Sequence, residues 1–174
     1  MKKKLLICLP LIWIAYKSQR LNRINTNKIE ETKTFENTVY KVAGDDKEML
    51  MSIEMAKKTF SEFERTIKSE NPNFKNFTLK KAYESTEGDE YLWIKSVIFY
   101  AEKNKYVGIV ADTPLYTKKV KFDEIVEVDE KEISDWMYFQ DNVVKGGYTL
   151  RLLRSRMTDE DRKLLDKESG YIFE

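Results

Sequence analysis

Between residues 47 and 69 the apolar side chains Met49, Ile53, Ala56, Phe60, Phe63 and Ile67 recur at alternating spacings of four and three. That spacing lays one apolar stripe along a helix and predicts a single helix over 47–69. Asp45 and Glu48 have capping-box spacing, with aspartate in place of the usual hydroxyl residue, and Asn71 before Pro72 stops the helix. The opposite face carries Lys57, Lys58, Glu62, Glu64, Arg65 and Lys68 in mixed sign, a solvated face, so the stripe is expected to pack on a sheet.

Beyond this helix the apolar period shortens towards two, the spacing of half-buried strands. Strands are predicted at 77–84, 91–101 and 106–111, the last two forming a hairpin around Glu102 to Lys105, where Asn104 can take positive φ. Thr113 and Pro114 break the pattern. Short strands at 119–122 and 125–128 are then expected to flank an Asp123-Glu124 turn, and 38–43 predicts another short strand ended by Gly44. The richest stretch pairs 133–139 with 147–153 as a hairpin with a longer loop, Gly146 and Gly147 supplying positive φ or close backbone approach. Setting Tyr138 opposite Tyr148 also sets Trp136 opposite Leu150 and Asp135 opposite Arg151, a self-consistent register with a cross-strand ion pair. A short helix over 158–169, capped by Thr158 and closed by Gly170, ends the chain at the margin of the core. The expected fold class is α+β: a long amphipathic helix on a bent antiparallel sheet or open small barrel, with a short C-terminal helix.

The first 18 residues differ from the rest. Met1 to Lys4 is basic and Leu5 to Tyr16 is apolar apart from Pro10, the layout of a secretory signal peptide, although no small-x-small cleavage site follows. Twelve helical residues span about 18 Å, too short for a hydrocarbon core of about 30 Å. Export to the periplasm or cell envelope is the expectation, a cytoplasmic protein with a short hydrophobic tail the alternative. Residues 19–37 read as a polar tether and 38–174 as a single α+β domain of ordinary size.

Composition then removes several chemistries. The 174 residues include no histidine and one cysteine, Cys8, so Cys/His zinc sites, Ser-His-Asp and Cys-His hydrolysis lack their parts. No EF-hand spacing occurs, and neither a metal nor a cofactor is expected. A formal net charge of +1 gives no electrostatic case for nucleic acid. The clusters Lys118, Lys119, Lys121 and Arg151, Arg154, Arg156 lie close in sequence to Asp123, Glu124, Glu127, Asp129 and Glu130. No membrane span is expected in the domain.

Taken in order, Tyr91-Leu92-Trp93, Tyr106-Val107-Gly108 leading to Asp112-Thr113-Pro114, Ile133-Ser134-Asp135-Trp136 and Gly146-Gly147-Tyr148-Thr149-Leu150-Arg151 resemble the YegJ-like bacterial family, domain of unknown function 2314 (DUF2314), over about residues 47–157. The family pattern is expected to carry Asn where Asp112 stands and a Gly-Asp pair near Phe122 and Asp123, so this chain departs from it there. The resemblance implies a small bacterial domain, sometimes exported, and transfers no catalytic residue.

Two function classes follow. The surplus of aromatic residues (Trp93, Trp136, Tyr106, Tyr138, Tyr148) suits a non-enzymatic binding or interaction module for a protein or small-molecule partner, provided the rings are exposed; an immunity or inhibitor role belongs to this class. The alternative is a small enzyme using Asp135 and Arg151, with Asp112 or Lys95. An ion-paired carboxylate is, however, a poor base. The candidate binding residues are therefore Trp93, Asp112, Asp135, Trp136, Tyr148 and Arg151.

Overall fold

The computed structural model describes residues 45–174 and the strand backbones Lys4–Cys8 and Val39–Ala43. Lys4–Cys8 is β1, a sheet strand inside the expected leader; the rest of the leader and the tether at 19–37 lie outside the described residues. Val39–Ala43 is β2, as the sequence predicts. The sheet continues through β3 (Phe74–Tyr83), β4 (Gly88–Tyr100), β5 (Lys105–Val110), β6 (Ile125–Val128), β7 (Ile133–Gln140) and β8 (Val143–Gly146). Its main path runs β2-β1-β4-β3-β7-β8, with β5 also on β4 and β6 on β5. Every pairing is antiparallel except β1 with β4. The expected α+β class holds, and the sheet is open rather than a closed barrel.

The predicted single helix is two, α1 (Lys47–Lys58) and α2 (Phe60–Lys68). The break has a cause in the tertiary packing. The Ala56 carbonyl, which would continue the helical ladder, accepts from the Trp136 indole N–H at 2.8 Å and from the Thr59 hydroxyl at 3.3 Å. Asp46 caps α1 by accepting from the Met49 N–H at 3.0 Å. The apolar stripe is shared between two parts of the core, α1 reaching into both and α2 into the second. Met49 and Ile53 pack with Trp93, Met137, Leu150 and Leu153, whereas Ala56, Phe60 and Phe63 pack with Leu79, Ile94 and Trp136.

Two strand expectations are overturned. Of residues 147–153, Gly147 precedes and the rest lie in α3 (Tyr148–Ser155), and the strand opposite β7 is β8, with Tyr138 facing Lys145 and Phe139 facing Val144. The turn between them is tight, with Asp141 and Asn142 both at positive φ (53° and 65°). Gly146 and Gly147 are needed where β8 turns into α3: both have positive φ, and a Cβ on Gly146 would fall 2.3 Å from the Trp136 carbonyl oxygen. Residues 119–122 form no strand, because 111–124 is an irregular loop hung from side chains of the sheet. The terminal helix is α4 (Asp159–Ser169), capped by Thr158 and ended by Gly170 as expected, though Leu165 is fully buried rather than marginal.

Candidate functional site

The middle of the sheet carries a row of charged and aromatic side chains. Lys80 on β3 lies opposite Trp93 on β4 and opposite Asp135 on β7, and all three are fully buried. The Lys80 ammonium sits 4.7 Å from the Trp93 ring centre and donates to the Thr149 hydroxyl at 3.2 Å. Thr149 in turn donates to Asp135 Oδ2 at 2.6 Å. Asp135 also accepts from the backbone N–H groups of Trp136 (2.8 Å), Tyr148 (3.2 Å) and Thr149 (2.8 Å). A carboxylate from β7 therefore occupies the N-terminus of α3, where free N–H groups and the helix dipole favour negative charge. Burial pushes Asp135 above the usual carboxylate range, and Lys80 with the Thr149 and Trp136 donors opposes that push.

Two further buried carboxylates flank the row. Asp112 accepts from the Trp93 N–H at 2.6 Å. Its burial pushes it up to about 7, against the Trp93 N–H and Lys80, with the Glu90 charge adding to the rise. Glu90 clasps the irregular loop by accepting from the N–H groups of Leu115, Tyr116 and Thr117 at 2.8, 3.1 and 2.8 Å. Each of these acids is committed to backbone donors rather than presented to solvent.

Beside the row the sheet opens. The β3–β4 pairing runs from Tyr83 opposite Glu90 to Leu79 opposite Ile94 and stops there. Further along, β3 continues on β7 and β4 continues on β5, each with a register shift, and Asn76 and Ser96 at those shifts take positive φ (54° and 52°). The divergence leaves a groove of about 760 Å³, with Phe74, Phe77, Val97, Ala111, Met137, Phe139 and Tyr171 giving apolar lining and Lys75 and Lys95 supplying charge; among the described residues no carboxylate lines it. Thr78 in this lining is two residues from Lys80 on the same strand face, and Ala111 precedes Asp112, so the groove abuts the buried row. Tyr171 is pushed up to about 12 by burial and by the Asp112 charge.

Comparison with known proteins places the chain. The family described as "Uncharacterized protein conserved in bacteria (DUF2314)" matches residues 46–173, well over half of the sequence. The chain belongs to the DUF2314 family. A "Putative ankyrin repeat protein" of Neisseria meningitidis serogroup B is 28% identical over 147 residues, which are 79% of this chain and 57% of that protein. "Uncharacterized protein YegJ" of Escherichia coli K12 is 23% identical over 106 residues, 61% of this chain and 67% of that one. This chain thus spans little more than half the length of the Neisseria relative. No solved structure matches.

In this DUF2314 protein the residues singled out from sequence fall into two groups. Trp93, Asp112 and Asp135 are brought together around Lys80, with Tyr148 donating its N–H to Asp135. Arg151 is not part of the group. Its guanidinium donates to the carbonyls of Gly146, Val144 and Glu174 at 2.8, 2.6 and 2.9 Å, so the expected Asp135–Arg151 pair does not form. Trp136 points to the other face, stacked on Tyr138 at 6.0 Å and bound to α1. The expected exposed aromatic surface is absent among these rings: Trp93, Trp136, Tyr106 and Tyr138 are buried and Tyr148 is half-buried, because they build the core. Lys95 stands at the groove, 3.4 Å from Asp123. Sequence reasoning missed Lys80, Glu90 and Thr149. Nothing distinguishes Lys80 from Lys81 in one sequence, whereas Leu150, Leu153 and Met157 at helical spacing could have marked α3. Among the described residues no group of three or more His, Cys, Asp or Glu is placed to hold a metal ion, and no helix is long and apolar enough to cross a membrane.

Proposed function

We propose that this DUF2314 protein is a non-enzymatic binding module of the bacterial cell envelope, whose site is the groove between the diverging halves of β3 and β4. Its ligand is an apolar molecule with an anionic head. The observation carrying this reading is the groove's lining: an apolar floor with Lys75 and Lys95 beside it and no carboxylate among the described lining residues, the exposed Asp123 that pairs with Lys95 lying outside the lining. Its volume falls in the range of small-molecule sites, about 300–1,000 Å³. A binding rather than catalytic role is supported by the buried acids, which are committed to backbone N–H groups. The basic start and apolar run of the first 18 residues support export.

Calorimetric titration with decanoate, decanol and decyltrimethylammonium tests the ligand class. Decanoate is expected to bind tightest, and the double variant Lys75→Gln, Lys95→Gln should weaken it at least about ten-fold, the scale of lost charge-assisted contacts, while leaving decanol unchanged. Equal binding of all three amphiphiles would sink the anion assignment. Fractionation of the native cells, with intact mass of the recovered protein, checks the location: recovery from cytosol alone at full mass would remove the envelope part of the proposal.

A further inference from the structure

The groove is a fork in the sheet, and two of its walls are strand edges. Leu79 opposite Ile94 is the last β3–β4 pair; an unbroken ladder would next set Thr78 opposite Lys95 and Phe77 opposite Ser96. Instead β3 follows β7 and β4 follows β5, and among the described residues no strand pair joins 74–78 to 95–100. Over this stretch each strand is paired on one side only. A strand edge is a template for another chain, because its N–H and C=O groups need partners. Here two such edges face each other across about 760 Å³. At a rise of about 3.3 Å per residue, the β3 edge over 74–78 gives room for about four or five residues of extended chain.

The remaining walls decide what that chain would be. Successive side chains of a strand point to opposite faces. Of the lining residues, Phe77 and Val97 pack with the core cluster beneath α2, whereas Met137, Phe139 and Tyr171 pack with the one built on α3 and α4. A strand laid between the two edges meets apolar surface on both faces, so the sequence it calls for is a continuous apolar run rather than an alternating one. The fork is blind at Leu79 and Ile94, and a strand lying in the plane of the sheet has to end there. Lys95 follows Ile94 at that closed end, 3.4 Å from the exposed Asp123. Lys75 lines the same groove and makes no ion pair among the described residues. Two ammonium groups, with no carboxylate among the described lining residues, select a chain end that is negative. We infer that the ligand of the groove is an extended apolar peptide ending in a free carboxylate, an inference that rests on the groove being the binding site proposed above. Its main chain joins the facing edges of β3 and β4, and its terminal carboxylate lies beside the two lysines.

Calorimetric titration of the full chain with the soluble peptide acetyl-Gly-Ser-Gly-Ser-Val-Leu-Val-Ile, set beside decanoate, tests the inference apart from the reading beneath it. The free acid is expected to bind and to displace decanoate. Its carboxy-terminal amide should bind at least about ten-fold more weakly, and so should the peptide N-methylated at its Leu and Ile, which loses the donors along one edge. These changes are made on the ligand, so the fold of the protein is untouched. With the peptide bound, amides along 74–78 and 95–98 should exchange their hydrogens at least about ten-fold more slowly than with decanoate. Decanoate binding without peptide binding overturns the inference and leaves the groove reading standing; if neither binds, both fall. An amide or an N-methylated peptide that binds as tightly as the free acid, or exchange no slower than with decanoate, overturns the inference as well.

Discussion

Asp135 and Asp112 are both buried acids beside the same lysine, yet they are built differently. Asp135 receives four hydrogen bonds, three from backbone N–H groups and one from Thr149, and sits on the end of a helix. Asp112 receives the Trp93 N–H and faces the like charge of Glu90. Burial alone raises both carboxyl groups. The difference in donors decides which acid fastens the fold, while Asp112, with one backbone donor, is pushed up to about 7.

The sharpest way to break the contrast is to remove the fastened acid. Asp135→Ala strands the α3 N–H groups and removes the carboxylate to which the Thr149 hydroxyl links the buried Lys80. We expect a loss of about 3–5 kcal/mol in urea unfolding; a loss within experimental error would show that Asp135 is not the fastener. Thr149→Val, close to isosteric, deletes only the hydroxyl that links Lys80 to Asp135, and should cost about 1–3 kcal/mol by the same measurement. The effect of Asp112 is visible only against pH. Its folded-state pKa, about 7, lies above the ordinary 3.8. The native state therefore holds a proton that the unfolded chain has already released, so this group's contribution is full below about pH 4 and is lost as pH rises through about 7. The slope reaches at most about 1.4 kcal/mol per pH unit. Asp112→Asn keeps an acceptor for the Trp93 N–H without the charge, and should gain on wild type between pH 5 and about pH 7 and level off above that. Asp135 slopes in the same sense in both proteins, so the difference between the two profiles is the quantity to read. Asp46, held down to about 2 by Arg156, acts only below this window. Parallel profiles would mean that Asp112 is ionised throughout.

The Asn expected at this place in the DUF2314 pattern would make the same change. The sequence could name Asp112, Asp135 and Trp93 as unusual, because charged and aromatic residues in strand patterns stand out. It could not assign their partners. The 133–139 strand was legible from its branched and aromatic run, but alternation in 147–153 suited a strand as well as the helix that Asp135 caps from outside. The ion pair with Arg151 was a consequence of that wrong register. Similarly, the apolar stripe over 47–69 was correct in every buried position except that Ile67 is half-buried, while the break at Thr59 depends on an indole 80 residues away. The groove was illegible because it arises where two strands part company at Asn76, just before the strand predicted from 77, and at Ser96 within the one predicted over 91–101, residues that carry no glycine signal for positive φ.

The order of the chain also sets a timetable. β3 meets β4 almost as soon as both are made, but Lys80 waits for Thr149, 69 residues later, and Trp136 must close on Ala56 across 80. Until the last quarter of the protein has emerged, the central strand presents a hydrated lysine where the finished sheet has a dry interior. Long-range closures of this kind slow folding. A ribosome-bound chain that ends before residue 149 cannot complete its own core, and is the form of this protein with most to gain from a chaperone.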